Sequence, residues 1–583
     1  MRISPRWGWF LAFTAVFAAG AGFVFWGCWS TAVTFIAPDD GVVFTVSYGD
    51  VLTRWWNVFQ TTGKMQPTDI LWSGLLGSPL FCRELKYVVS IYCAALGMAY
   101  FLRGRGLSYL ASYGAGLMLA FCGYWFTLFN AGHGGWFVWM TYGVFVFGLI
   151  DRAIECRCVR HWLLLGLCAA WGSYHQPDLW LIFTAFSGVY FVFRVVVTRP
   201  RWKSFALGVV IAGVVFFAVG APSFYEAMTG AVSGRDEQIA ESKGSALSGG
   251  KGVSDAEARW IFVTNWSLPP DETAEFFNAR VNGDTSCPLT LSVNRLKGLK
   301  PYTGALGRPI NAKQGNYRQH SLYVGWVTCL LALLGVAGAF FADERRETID
   351  ERGATTRRQP AVSCPATAPC RCTVAFFAIA AVVFWLFSLG RYCEPVYRLV
   401  YMLPFGDYLR APVKWHHLTE FCICVLAGFG IASLCRWLGS VAKGNERLAL
   451  AFNCAVAAVV LFGVFDLVGE ARRFCAPVDY SKAVQTGCSS QLTVLARQQL
   501  QTPQAAEMVR RGRIVPVASW LGDPNAYLVQ VLEPLTPVKP AEPKPLSLAL
   551  GVVSLLGAVA ALAAFCIWRR RRLGCDIIRP AEA

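Results

Sequence analysis

The side chains able to do chemistry stand out because charge is scarce: of 583 residues, 55% are hydrophobic and 15% are Asp, Glu, Lys or Arg. Asp39, Asp40 and Asp50 follow the first apolar run, and His133 lies in Gly132-His133-Gly134-Gly135. His175 and Asp178 share the turn His175-Gln176-Pro177-Asp178, and Glu226 follows a later apolar run. Arg410 and Lys414 lead into His416, His417 and Glu420 at the start of another. Ionisable groups at membrane depth are costly and mark function by default. A lone carboxylate can take a proton from a hydroxyl, guanidinium and ammonium groups can hold a phosphate, and a groove between apolar helices can hold a lipid tail. Together these suit a lipid-phosphate substrate. Plainer readings stand beside that one: Asp39-Asp40-Gly41 also reads as a solvated turn, Gly132-His133-Gly134-Gly135 as a tight turn, and Glu420 and Asp466 as interface residues.

The elements that would position these groups are apolar runs of about 20 residues, the length a helix needs to cross a bilayer. They fall near 8–29, 87–102, 108–128, 136–150, 162–173, 179–193, 204–223, 321–342, 373–389, 417–435, 448–467 and 546–568. A soluble chain carries roughly 25% charged residues, far more than this one, so lipid must serve as part of its solvent. The pattern predicts an all-α polytopic membrane protein of about twelve transmembrane helices, between ten and thirteen, with large extracytoplasmic loops. The shortest runs flank His175-Gln176-Pro177-Asp178 and read either as tilted short helices or as a re-entrant hairpin.

Orientation follows from the basic residues of short loops, which stay inside. Arg103, Arg105, Arg152, Arg157, Arg160 and Arg194 fall on the side of Arg2 and Arg6, as do Arg436, Lys443 and the run Arg569 to Arg572. Both termini are therefore expected in the cytoplasm, with the chain multi-pass in the cell (inner) membrane. The net charge of +17 is then a mark of topology and gives no reason to expect nucleic acid. The expected organisation is an N-terminal membrane module over 1–223 with its first outer loop at 30–86, an extracytoplasmic loop domain over 224–320, and a second membrane module over 321–467. A further extracytoplasmic loop domain covers 468–545, and the last helix with a basic cytoplasmic tail covers 546–583.

Several chemistries lose support. No GxxxxGK[ST] phosphate loop, HExxH zinc motif or GxSxG elbow occurs, which argues against ATP-driven transport, zinc proteolysis of that type and elbow-type hydrolysis. Most of the 21 cysteines sit in or beside apolar runs, where free Cys behaves as a small apolar residue. Cys475 and Cys488 are close enough for a disulfide in an oxidising compartment. Cys156, Cys158, Cys364, Cys370 and Cys372 lack the spacing of a paired zinc ribbon. Asn265-Trp266-Ser267 matches a glycosylation sequon.

An ordered series of segments resembles one family. Asp50-Val51-Leu52-Thr53-Arg54-Trp55-Trp56, then Thr62-Gly63-Lys64-Met65-Gln66-Pro67 and Gly74-Leu75-Leu76-Gly77-Ser78-Pro79, is similar to the first outer loop of YfhO-type membrane proteins. Tyr100 to Ser108, Ala131-Gly132-His133-Gly134, Tyr323-Val324-Gly325 and Leu409-Arg410-Ala411-Pro412-Val413-Lys414 follow in the family's order. The likeness covers about residues 1–435. Two departures are Asp69, where the family usually has a Trp-Asn pair, and His175-Gln176-Pro177, which exchanges two residues of a His-Pro-Gln turn. The resemblance implies a GT-C glycosyltransferase that takes a sugar from a polyprenyl-phosphate donor and passes it, with inversion, to a cell-envelope glycan or lipid acceptor on the outer face of the membrane. It places the catalytic base at Asp50, with Asp39 or Asp40 as alternatives, and assigns substrate binding to His133, His175, Asp178, Arg410 and Lys414. No metal ligand is identified, and a divalent cation is the one cofactor left open. Two other classes remain: a membrane transporter or lipid flippase, and a noncatalytic scaffold for envelope assembly.

Overall fold

The computed structural model describes residues 4–26, 79–126, 140–156, 158–174, 177–244, 254–283, 304–305, 322–341, 370–403, 406–475, 514–517 and 528–531, with isolated positions between 549 and 560. Asp39, Asp40, Asp50, Asp69, His133, His175 and Cys488 lie outside the described residues.

The apolar runs fold as helices: α1 Pro5–Val24, α2 Pro79–Gly104, α3 Tyr109–Ala120, α4 Met140–Cys156, α5 Val159–Trp171, α6 Pro177–Thr198 and α7 Trp202–Gly244. After α8 Asp255–Val263 come α9 Trp326–Phe341, α10 Cys370–Ser388, α11 Glu394–Tyr401, α12 His416–Val441 and α13 Glu446–Cys475. Local chemistry marks several starts. Pro5 opens α1, where its missing N–H costs nothing, and Ser108 caps α3 by accepting from the Ala111 N–H at 3.3 Å. Outside the helices, β1 Ile514–Val517 pairs antiparallel with β2 Leu528–Val531, Ile514 facing Val531, in the segment expected as the later loop domain.

Seven described helices are long and apolar enough to cross a bilayer: Pro5–Val24, Tyr87–Gly104, Asp178–Thr198, Trp202–Tyr225, Arg371–Ser388, Pro412–Val441 and Glu446–Arg473. By length and composition the chain is a membrane protein. Four other expected spans form helices of 12, 17, 13 and 16 residues, at α3, α4, α5 and α9. At 1.5 Å of rise per residue these fall short of the roughly 30 Å hydrocarbon core. Of the two runs beside Pro177, the second lengthens into a 22-residue helix and the first stays short. Helix α7 runs for 43 residues, through Pro222 and past the expected domain boundary at 223.

Helix α12 is the centre of the fold. Every residue from His416 to Cys422 is buried, as is nearly every one from there to Ile431, and the helix packs on α3, α9, α10 and α13. Its approach to α9 depends on two glycines. A Cβ on Gly430 would collide with the Leu331 carbonyl oxygen, and one on Gly335 with that of Leu426. Small residues let apolar helices meet backbone to backbone, which compensates for the absence of a hydrophobic drive between helices in lipid. Aromatic rings fill the wider gaps. Phe421 of α12 lies 4.7 Å from Phe147 of α4 and 6.2 Å from Phe377 of α10, ring centre to ring centre.

At one end of α2, α4 and α6 the charges pair with one another. One oxygen of Asp151 accepts from the Arg194 Nε at 2.7 Å and the Tyr190 hydroxyl at 2.8 Å, and the other forms an ion pair with the Arg105 guanidinium, Nε to oxygen 2.7 Å. Arg194 Nη2 also reaches Glu155 at 2.5 Å. Asp151 and both arginines are buried, so each needs these partners.

Candidate functional site

The opposite end of α6 begins at Asp178, and the segments around it are tied together by backbone hydrogen bonds. Leu268 N–H donates to the Ser388 carbonyl at 2.8 Å, Val324 N–H to Phe276 at 3.2 Å, and Gly123 N–H to Tyr323 at 2.8 Å. Ala411 N–H donates to Val263 and Val413 N–H to Trp266, both at 3.1 Å. The stretch after α8 is thereby laced to the ends of α9, α10 and α12.

Two residues within this lacing adopt a left-handed backbone although neither is glycine: Trp266 at φ 58° and Ala411 at φ 63°. Such conformations cost about 1–3 kcal/mol each and persist only where surrounding contacts fix them. The strain brackets Arg410. Its guanidinium carbon sits 4.4 Å from the centre of the Phe262 ring and 4.6 Å from that of Trp266, a double cation–π contact.

Beside it, in the 3-10 turn Pro412–Trp415, the buried Lys414 ammonium donates to the Asp178 carboxylate. The other oxygen of Asp178 accepts the Leu179 N–H at 2.9 Å, so the carboxylate also caps the first turn of α6. Of the residues expected to bind substrate, the structure brings Asp178 and Lys414 into one ion pair and sets Arg410, shortly before Lys414 in sequence, on the rings of Phe262 and Trp266. Lys414 is thus engaged by protein.

Several polar groups here are missing from the sequence-based site. Arg391 donates from Nε to the Thr264 carbonyl at 3.1 Å and from Nη2 to the Asn265 side chain at 3.2 Å, while its backbone N–H donates to Ser267 Oγ at 3.0 Å. Burial pulls the Arg391 guanidinium below its ordinary value. The fully buried Asn265 is closed to glycan attachment in the folded chain. In the 3-10 segment Pro270–Phe276, Glu272 accepts the Ala305 N–H at 2.5 Å and Glu275 the Asn282 N–H at 3.3 Å. Burial, with the Glu272 charge adding to it, pushes the Glu275 carboxyl up to about 8. The signal that could have found the acids is Glu272 and Glu275 three apart between prolines and Phe276-Phe277. Deeper on α12 lie His416, His417 and Glu420, all fully buried. Among the described residues no three His, Cys, Asp or Glu side chains are grouped to hold a metal ion.

No family model matches this chain, and neither a curated protein nor a solved structure was found that is similar to it.

Proposed function

We propose that this chain is a polytopic membrane glycosyltransferase of the GT-C kind, with about twelve spans and both termini in the cytoplasm of the cell membrane, that moves a sugar from a polyprenyl-phosphate donor to a cell-envelope acceptor on the outer face. The observation that carries the reading is the Arg410 guanidinium stacked on Phe262 and Trp266, just before the start of the buried helix α12. A stacked guanidinium keeps its charge and its planar fork of donors, which suits a phosphate whose prenyl tail runs down between helices. Lys414 and Asp178 pair with each other, and in this reading the phosphate meets the stacked Arg410 while Lys414 positions the turn that carries it.

In the proposed reaction the Asp50 carboxylate takes the proton of an acceptor hydroxyl as its oxygen attacks the anomeric carbon. The bond to phosphate breaks, polyprenyl phosphate leaves, and the sugar inverts. One carboxylate suffices because the leaving group is already a phosphate whose charge Arg410 stabilises. His133, His175 and Asp178 would border the sugar and acceptor.

The test is transfer of a radiolabelled sugar from a polyprenyl phosphate by the protein in nanodiscs. Wild type forms the glycosidic bond, and Arg410→Ala and Asp50→Asn lose it. Full activity in a folded Asp50→Asn protein would remove Asp50 as the base. Movement of intact donor between leaflets with no new glycosidic bond would establish the transporter reading, which the interruption of α3 after Ala120 favours.

A further inference from the structure

We infer that His416, His417 and Glu420, closed over by Tyr124, form a proton-binding centre that holds a single proton, separate from the Asp178–Lys414 pair. All four side chains are fully buried. On α12 the spacings i to i+4 and i to i+3 turn both imidazoles toward one carboxylate: His416 Nε2 lies 3.6 Å from Glu420 Oε1, and His417 Nδ1 lies 3.4 Å from Oε2. Both separations are a few tenths of an ångström beyond a full hydrogen bond, and neither Glu420 oxygen makes one among the described residues. The three groups are near enough to exchange a proton and too loosely joined to be a finished ion pair.

Each imidazole is held by other contacts. His416 Nε2 is 3.2 Å from the Leu322 carbonyl, which can only accept, so that nitrogen carries hydrogen; its ring packs 4.4 Å from Phe276. His417 lies between Tyr124 at 4.4 Å and Trp125 at 4.2 Å, ring centre to ring centre. Those two rings belong to a helical turn over 123–126 that resumes after α3 stops, and the Gly123 N–H has left the helix to bond Tyr323. Facing Glu420 is therefore the start of a broken helix, with the Tyr124 backbone N–H turned toward the carboxylate. Interrupted helices at membrane depth recur where protons and ions bind.

Charge counting fixes the occupancy. An unpaired charge in an apolar interior is costly, and only two neutral arrangements exist: a protonated Glu420 with two neutral imidazoles, or an ionised Glu420 with one imidazolium. Both hold one proton, which belongs to the group as a whole. Among the described residues, the other titratable neighbours do not supply a fixed counter-charge. Cys122 and Cys424 face each other with sulfurs 3.9 Å apart, Cys329 approaches from α9, Lys414 is engaged by Asp178, and Asp466 is bonded by Tyr323. From α4 and α10 the neighbouring turn of α12 meets Phe147 and Phe377. Removing the proton leaves a net anion that only the Tyr124 backbone N–H faces among the described residues, and adding a second leaves a net cation.

The test is infrared difference spectroscopy of the substrate-free protein in lipid nanodiscs as pH is changed, which is independent of any transferase activity. The expected result is a carboxyl carbonyl band that titrates in wild type, vanishes in Glu420→Gln, and shifts its midpoint by about one pH unit or more in His417→Phe and in His416→Phe. The phenylalanine variants keep ring packing and read the same band should Glu420→Gln fail to fold. Superimposable spectra of wild type and folded Glu420→Gln overturn the proposal. So does a Glu420 band whose midpoint neither histidine variant moves, because the carboxyl then titrates alone.

Discussion

Lys414 donates to Asp178 across 236 positions of sequence, fastening the turn before α12 to the first turn of α6. The pair is mostly shielded, with side-chain exposures of 11% and 21%, so removing one partner strands the other. Lys414→Met and Asp178→Asn are each expected to cost about 2 kcal/mol, below the full cost of breaking a wholly buried pair. The double variant should cost clearly less than the two singles combined. Thermal unfolding in nanodiscs measures this, and additive effects would mean the two groups do not interact.

Charge alone does not describe Arg410, because its planar group lies on two rings. Arg410→Lys keeps the charge and loses the stacking, and is expected to weaken binding of a polyprenyl phosphate about tenfold, or about 1.4 kcal/mol. Trp266→Leu should act in the same direction. Equal affinity in wild type and Arg410→Lys would show that the rings contribute nothing.

Two Gly→Ala substitutions should have opposite signs. At Gly430 the added methyl meets the Leu331 carbonyl oxygen of α9, and the expected cost is about 2 kcal/mol or more. At Gly213, also helical, nothing lies within 4 Å, and alanine should be neutral to stabilising by up to about 1 kcal/mol. Melting temperatures of the two variants check the contrast.

The Glu275 carboxyl predicts a pH dependence of stability. Its value is raised from 4.5 to about 8 on folding, so the folded state holds the proton more tightly. The associated stability is fully present below about 4.5 and is lost as pH rises toward and through about 8. Glu275→Gln cannot ionise, so its melting temperature should fall less than that of wild type over that interval. Parallel curves would show that Glu275 titrates normally.

Apolar composition made the helices legible, because a run such as 373–389 has no solvent but lipid or protein and folds as Cys370–Ser388. Helix ends were less legible. Hydropathy stops at the first charges, yet α13 continues to Cys475 because Glu470 pairs with Arg280, and Arg472 donates to the Val24 and Trp26 carbonyls. Those partners come from distant segments. In the same way Asp178 and Lys414 could each be singled out as polar groups beside apolar runs, but their pairing depends on how α6 and α12 pack. Arg391, Glu272 and Glu275 escaped notice because they lie in connecting segments that read as solvated, whereas both acids are buried and Arg391 is half-buried against the ends of α9 and α10.

The cluster around Asp151 also bears on how the chain is made. Arg105 precedes Asp151 in synthesis, so the first bond of the cluster can form as soon as α4 meets α2, before α6 exists. Arg194 arrives later and closes the cluster by reaching both Asp151 and Glu155. After α2, each helix of the cluster thus enters with a charge whose partner is already waiting, and α2, α4 and α6 can be joined in order while the ribosome is still at work.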